Sequence, residues 1–214
     1  MARLRWLVLA CAVTCVPSRA AAAAAVEGTV ALPREAPIAV AAPRYPTAAG
    51  YAVGPPDPRA AVVYLEGAFP PRAPLKIAVA QRHYQFAPGL IVIPRGSVVA
   101  FPNLDEEYHS VFSYSKTKRF DLGRYSRDED PAQITFDQPG IVKLYCEIHD
   151  HMRGTILVLD SPYFAKTDAD GRYRLDGLPA GHHVLKAWVD EDTVLAQPVE
   201  LRDGATVRAD FAGP

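Results

Sequence analysis

In the stretch KLYCEIHDHM, residues 143–152, a thiol, an imidazole and a thioether recur at even spacing as Cys146, His149 and Met152. All three side chains can donate to a metal ion. In GIVKLYC, strand alternation puts Val142, Leu144 and Cys146 on one face and Ile141, Lys143 and Tyr145 on the other. Cys146 therefore points inward as its strand ends, and a short loop carries His149 and Met152 back over it. One more imidazole would complete a trigonal site. His109, in FPNLDEEYHSVF just after the strand ending at Phe101, is the best-placed candidate. One thiolate, two imidazoles and a weak thioether suit copper, because thiolate and thioether favour Cu(I) and imidazole tolerates both oxidation states. Zinc would want four firm donors, and methionine is a poor one. Two further readings stay open: a cysteine nucleophile beside a histidine base, and a buried Cys and Met that serve only as core.

The rest of the 214-residue chain limits what could carry such a site. Hydrophobic residues make up 49 % and charged residues 22 %, with a formal net charge of −1. One large or two small packed domains are possible, and no basic excess points to nucleic acid. Residues 1–25 read as a secretory signal. Arg3 and Arg5 form a positive start, WLVLACAVTCV is the apolar stretch, and Ala20 to Ala25 offers small residues for cleavage. Export to the periplasm or beyond is the expectation, with cleavage near Ala25. VLAC at 8–11 also offers a loose lipoprotein pattern, and an uncleaved anchor is the other alternative. Losing Arg3, Arg5 and Arg19 without any acid takes the formal charge from −1 to −4. Losing Cys11 and Cys15 leaves Cys146 as the sole thiol. A lone thiol in an oxidising compartment is a hazard unless something occupies it.

The elements that must position the donors read as strands. Residues 33–58 are proline-rich and predict a long extended loop. AAVVYLEG (60–67), GLIVIPRGSVVAF (89–101), ITFDQPGIVKLYC (134–146) and GTILVLD (154–160) are β-branched runs of strand length. GRYRL, HVLKAWV, TVLAQPVEL and TVRADF follow after Asp160. No segment outside the signal shows a helical period, so the fold class is all-β.

Residues 75–159 resemble a cupredoxin, the small Greek-key β-sandwich of the plastocyanin and amicyanin kind. The matching residues are Phe101-x-Asn103-x5-His109 and Cys146-x2-His149-x2-Met152. The resemblance implies one type 1 (blue) copper held in a plane by His109, Cys146 and His149, with Met152 axial. It implies one-electron transfer rather than enzymatic turnover. Partners would be soluble or membrane-associated redox proteins, such as a c-type cytochrome or a dehydrogenase. Two positions depart from the family pattern. Ser110 stands where asparagine often follows the first histidine, and the usually apolar ligand loop contains Glu147, Asp150 and His151.

Residues 164–188 resemble a carboxypeptidase-regulatory-like, transthyretin-like sandwich through the pattern T-D-x-x-G-x-Y-x-L-x-x-L-P-x-G, Thr167 to Gly181. That family's first two strands match EGTVAL (27–32) and AAVVYLEG, which lie before the copper-site segment. The expected organisation is therefore discontinuous: 26–70 with 161–214 form one sandwich, and 75–159 are inserted into it. The resemblance implies no catalysis by the host module.

Other signals have plainer readings. His149-x-His151 has the form of the histidine pairs of multicopper oxidases, but six histidines in all are too few for a trinuclear cluster. Asp105-Glu106-Glu107 reads as a solvated loop, with steering of a basic partner as the alternative. DADG at 168–171 reads as a hairpin turn rather than a calcium loop. Two further functions compete with electron transfer: non-redox copper binding or delivery, and a scaffold whose metal site is vestigial. Redox cycling separates the first from electron transfer; bound metal separates both copper readings from the scaffold.

Overall fold

A computed structural model describes residues 23–33, 53–55 and 57–213. The secretory signal falls outside the described residues except for its last three, as does most of the proline-rich loop. The described residues form seventeen strands and no helix, so the chain is all-β, as its sequence patterning predicts.

The middle of the chain builds two facing sheets. Strands β6 (Leu90–Pro94), β8 (His109–Tyr114), β9 (Arg119–Tyr125), β11 (Gly140–Tyr145) and β12 (Arg153–Leu159) form a five-stranded sheet, ordered β6-β12-β11-β8-β9. β12 runs parallel to β6 and antiparallel to β11. Strands β3 (Lys76–Ala78), β7 (Ser97–Ala100) and β10 (Gln133–Phe136) form the facing sheet, with β7 in the middle. Between them pack Ile93, Val99, Phe101, Val111, Phe136, Val142, Leu144 and Ile156. Inward and outward positions alternate along β11, so Val142 and Leu144 are buried while Ile141, Lys143 and Tyr145 are less so. A small hairpin, β4 (Ala80–Arg82) and β5 (Gln85–Ala87), lies at one end.

The two ends of the chain build a second pair of sheets. β1 (Ala24–Thr29) lies between β14 (Arg172–Leu178), antiparallel to it, and β17 (Thr206–Arg208), parallel to it. β2 (Val62–Glu66) lies between β13 (Phe164–Lys166) and β15 (Gly181–Trp188), antiparallel to both, and β16 (Val194–Leu201) completes that sheet. Ala24, Val26, Val30, Val63, Leu65, Leu175, Leu178, Leu185 and Leu201 fill the core between these sheets. Val62, Leu157, Leu159 and Trp188 form a third apolar cluster that joins the two sheet pairs. The DADG segment is a turn: Asp168 accepts the backbone N–H groups of Asp170 and Arg172 at 3.0 and 2.7 Å.

Gly28 allows β1 to sit close to the chain that follows β17. A Cβ there would stand 1.9 Å from the Ala209 carbonyl oxygen, which is backbone and cannot swing aside. Gly28→Ala is expected to destabilise the protein by about 3 kcal/mol through this overlap. Chemical denaturation of the full chain checks it, and an unchanged midpoint would mean β1 can shift freely.

Candidate metal centre

The candidate donors lie at strand ends and in the turn that joins two strands. His109 opens β8 and is fully buried, at 0 % exposure. The loop before it is shaped by Asn103, whose Nδ2 donates to the Glu107 and Tyr125 carbonyls at 2.8 and 3.2 Å. Its Oδ1 accepts the Asp105 N–H at 2.9 Å. Cys146 follows β11 directly and is 5 % exposed. His149 and Met152, at 7 % and 1 %, occupy the turn before β12, which is closed by the Met152 N–H donating to the His149 carbonyl at 2.8 Å.

The structure brings His109, Cys146 and His149 together as one donor cluster. Cys146 Sγ lies 3.9 Å from His109 Nδ1 and 3.8 Å from His149 Nδ1, and the two nitrogens are 3.1 Å apart. A point equidistant from the corners of that triangle lies about 2.1 Å from each, which is a metal–ligand bond length. The donor set, one sulfur and two imidazole nitrogens, fits a thiophilic transition metal such as copper. Met152 is buried in the same apolar cluster as Cys146.

The protonation states suit donation. Asp105 Oδ2 lies 2.9 Å from His109 Nε2. A carboxylate only accepts, so Nε2 carries the proton and Nδ1 turns its lone pair toward Cys146. Burial pushes the Cys146 thiol up, and hydrogen bonding at the sulfur, including that from the backbone around Ser110, Ile148 and His149, brings its pKa down to about 7. Burial holds the His149 imidazole below its ordinary value, against the opposing charges of Glu107 and Asp105. A neutral imidazole is the form that donates.

Ser110, the departure noted in the sequence, still joins the two segments that carry His109 and Cys146. Its Oγ accepts the Glu147 N–H at 2.8 Å and lies 3.9 Å from Cys146 Sγ. Glu147 is paired with Arg124 at 3.0 Å. His151 stands outside the donor cluster, with its Nε2 3.0 Å from the Tyr84 carbonyl. Sequence reasoning missed two groups. Tyr84 sets its ring edge-on to His109 and His149, at centroid distances of 5.8 and 5.2 Å. Asp105, read from sequence as part of a solvated loop, is only 10 % exposed, whereas Glu106 beside it is 82 % exposed.

Comparison with known proteins gives no family. No family model matches the chain, and no curated protein matches it. Several solved structures resemble part of it. A copper-containing nitrite reductase from Thermus scotoductus SA-01 is 25 % identical over 45 % of this chain, with a TM-score of 0.38. That match spans only 25 % of the nitrite reductase. An oxidised single-residue variant of amicyanin is 19 % identical, covering 39 % of this chain and 81 % of its own, with a TM-score of 0.36. A purple cupredoxin from Nitrosopumilus maritimus is 26 % identical over 35 % of this chain and 81 % of its own, with a TM-score of 0.31.

Proposed function

We propose that this is an exported type 1 copper protein that carries single electrons between redox partners. The observation that carries the reading is the donor triangle: a buried thiol and two imidazole nitrogens, spaced around one point at bonding distance. His109, Cys146 and His149 would hold the metal, with Met152 as a weak fourth donor. Copper bound there would supply a one-electron couple. The chain's own residues keep the donors fixed, exclude water from Cys146 and hold the His109 proton on Nε2, away from the centre. Soluble or membrane-associated redox proteins, a c-type cytochrome or a dehydrogenase among them, are the partner class. The test is a visible spectrum of purified protein with Cu(II), before and after ascorbate. An intense band that ascorbate bleaches supports electron transfer. A bound but redox-inert metal would favour copper delivery, and no bound metal would favour a scaffold.

Met152 tunes the site on this reading. Met152→Gln replaces a thioether with an oxygen donor, which favours Cu(II). A tenfold preference lowers the reduction potential by about 59 mV. Voltammetry checks this, and an unchanged potential would remove Met152 from the donor set.

We further propose that residues 75–159 are an inserted domain within a sandwich formed by 26–70 and 161–214. The support is that all strand pairings of β3 to β12 stay within that segment. Expressed alone, residues 75–159 should fold and take up copper, while exposing Leu157 and Leu159 of the joining cluster. Export remains part of the proposal. Ala24 is fully buried and pairs with Leu178. The mature chain should therefore begin before Ala24, and intact-mass measurement of secreted protein reads the terminus directly.

A further inference from the structure

The β4–β5 hairpin turns on His83 and Tyr84, whose φ angles are 52° and 58°. Two-residue hairpins with positive φ at both central positions normally use Asn-Gly, because other residues are unfavourable there. Strained backbone of this kind persists only where its surroundings hold it, and it concentrates at functional sites. Here one carboxylate holds it. Asp105 Oδ1 accepts the His83 N–H at 2.7 Å, and Oδ2 accepts the Tyr84 N–H at 2.9 Å. The same Oδ2 accepts His109 Nε2–H at 2.9 Å.

The turn also reaches the other ligand loop. The Tyr84 carbonyl accepts His151 Nε2–H at 3.0 Å, and the Tyr84 ring packs edge-on against both His109 and His149. Behind the turn, the Gln81 N–H donates to the Pro102 carbonyl and the Leu104 N–H to the Gln81 carbonyl, each at 2.9 Å. A single hairpin tip thus touches the His109 loop through Asp105 and the Cys146–Met152 loop through His151.

We propose that the His83–Tyr84 turn is a clasp that sets the donor triangle before a metal enters, with Asp105 as the positioning residue for His109 and Tyr84 as the cap over both imidazoles. The inference rests on the triangle being a metal centre. Asp105 does two things at once: it compensates the strained turn, and it fixes which His109 nitrogen faces the site. Supporting groups of this kind orient ligands and raise their basicity. The geometry explains why the side chain is mostly withdrawn from solvent while its acidic neighbour Glu106 extends to solvent and pairs with Arg127.

The test uses the full chain in four forms: wild type, Asp105→Ala, Glu106→Ala, and Asp105→Ala combined with His83→Gly. The last relieves the positive φ at His83 without a carboxylate and leaves the Tyr84 ring in place. Long-range proton–nitrogen spectra of metal-free protein read the His109 tautomer, and titration with Cu(II) reads affinity. Wild type and Glu106→Ala should show one tautomer, with the proton on Nε2. Asp105→Ala should mix tautomers and bind copper about 10- to 100-fold more weakly. The combined variant should recover the thermal midpoint while its tautomers stay mixed and its affinity stays low. If Asp105→Ala keeps the single tautomer and wild-type affinity, the clasp is wrong. If the combined variant regains both, Asp105 only supports the turn, which also overturns the proposal. A wild type that binds no copper defeats the metal reading instead, and the tautomer comparison still decides whether Asp105 positions His109.

Discussion

On the proposed copper reading, Cys146→Ser is expected to abolish the intense visible absorption of protein loaded with Cu(II). The band requires charge transfer from a thiolate, and a serine hydroxyl is neither soft nor ionised near neutral pH. The sulfur is one corner of a triangle whose other corners lie 3.8 and 3.9 Å away, so no neighbouring group can replace it without moving a strand end. The loss is also thermodynamic. Copper at about a thousand times its dissociation constant stabilises the folded chain by about 4.1 kcal/mol. Cys146→Ser should forgo most of that gain, and the metal-free proteins should unfold at similar temperatures because the two side chains are nearly the same size. Absorption spectra and thermal midpoints with and without copper measure both effects. A wild-type spectrum in the variant would remove Cys146 from the site.

Residues 161–214 alone should not fold. β1 is the middle strand between β14 and β17, and β2 lies between β13 and β15. A fragment without them has both sheets cut through the middle, not trimmed at the edge. Each cut leaves rows of unpaired backbone groups, which are prone to pairing with other chains. It also loses Val26, Val30, Val63 and Leu65, all fully or almost fully buried. At about 1.5–3 kcal/mol per such side chain, the loss is on the order of 10 kcal/mol. That matches the whole stability of a typical domain, about 5–15 kcal/mol. Amide spectra of the fragment should be collapsed and poorly dispersed. Sharp, dispersed resonances would favour two consecutive domains over the discontinuous organisation.

Legibility from the sequence follows the range of the interactions. Alternation in GIVKLYC is a local pattern, and β11 shows it because one face of the strand meets Ile156 and Phe136 in the core. The donor spacing from Cys146 to Met152 is likewise local, since one turn brings the residues together. The pairing of β1 and β2 with strands after Asp160 was suggested only by a remote pattern resemblance. The parallel pairs β1–β17, β3–β7 and β6–β12 left no signal, because a parallel partner imposes no turn chemistry between the strands. The His83–Tyr84 turn was hidden for a different reason. QRHYQF lacks the Asn or Gly that marks such a turn, and its stabilising group, Asp105, lies 22 residues downstream of His83. Asp105 was misread for the same cause: its burial is imposed by a hairpin that charge patterning cannot reveal.

The interleaved strand order also fixes a timetable for synthesis. β1 and β2 emerge early, yet the strands on either side of them, β13, β14, β15 and β17, are made last. Until then Val26 and Val63 have no core to enter, whereas the segment from β3 to β12 already contains all its own partners. That segment can therefore fold first, reversing the usual order in which a chain's beginning folds before its middle. Once folded, it acts as a short bridge between β2 and β13 in place of a long flexible loop. Every halving of the effective loop lowers the closure cost by about 0.6 kcal/mol. If residues 75–159 fold as an inserted unit, the centre of the chain would serve as a folding template for its two ends, and a lesion that delays the centre would leave both ends waiting unpaired.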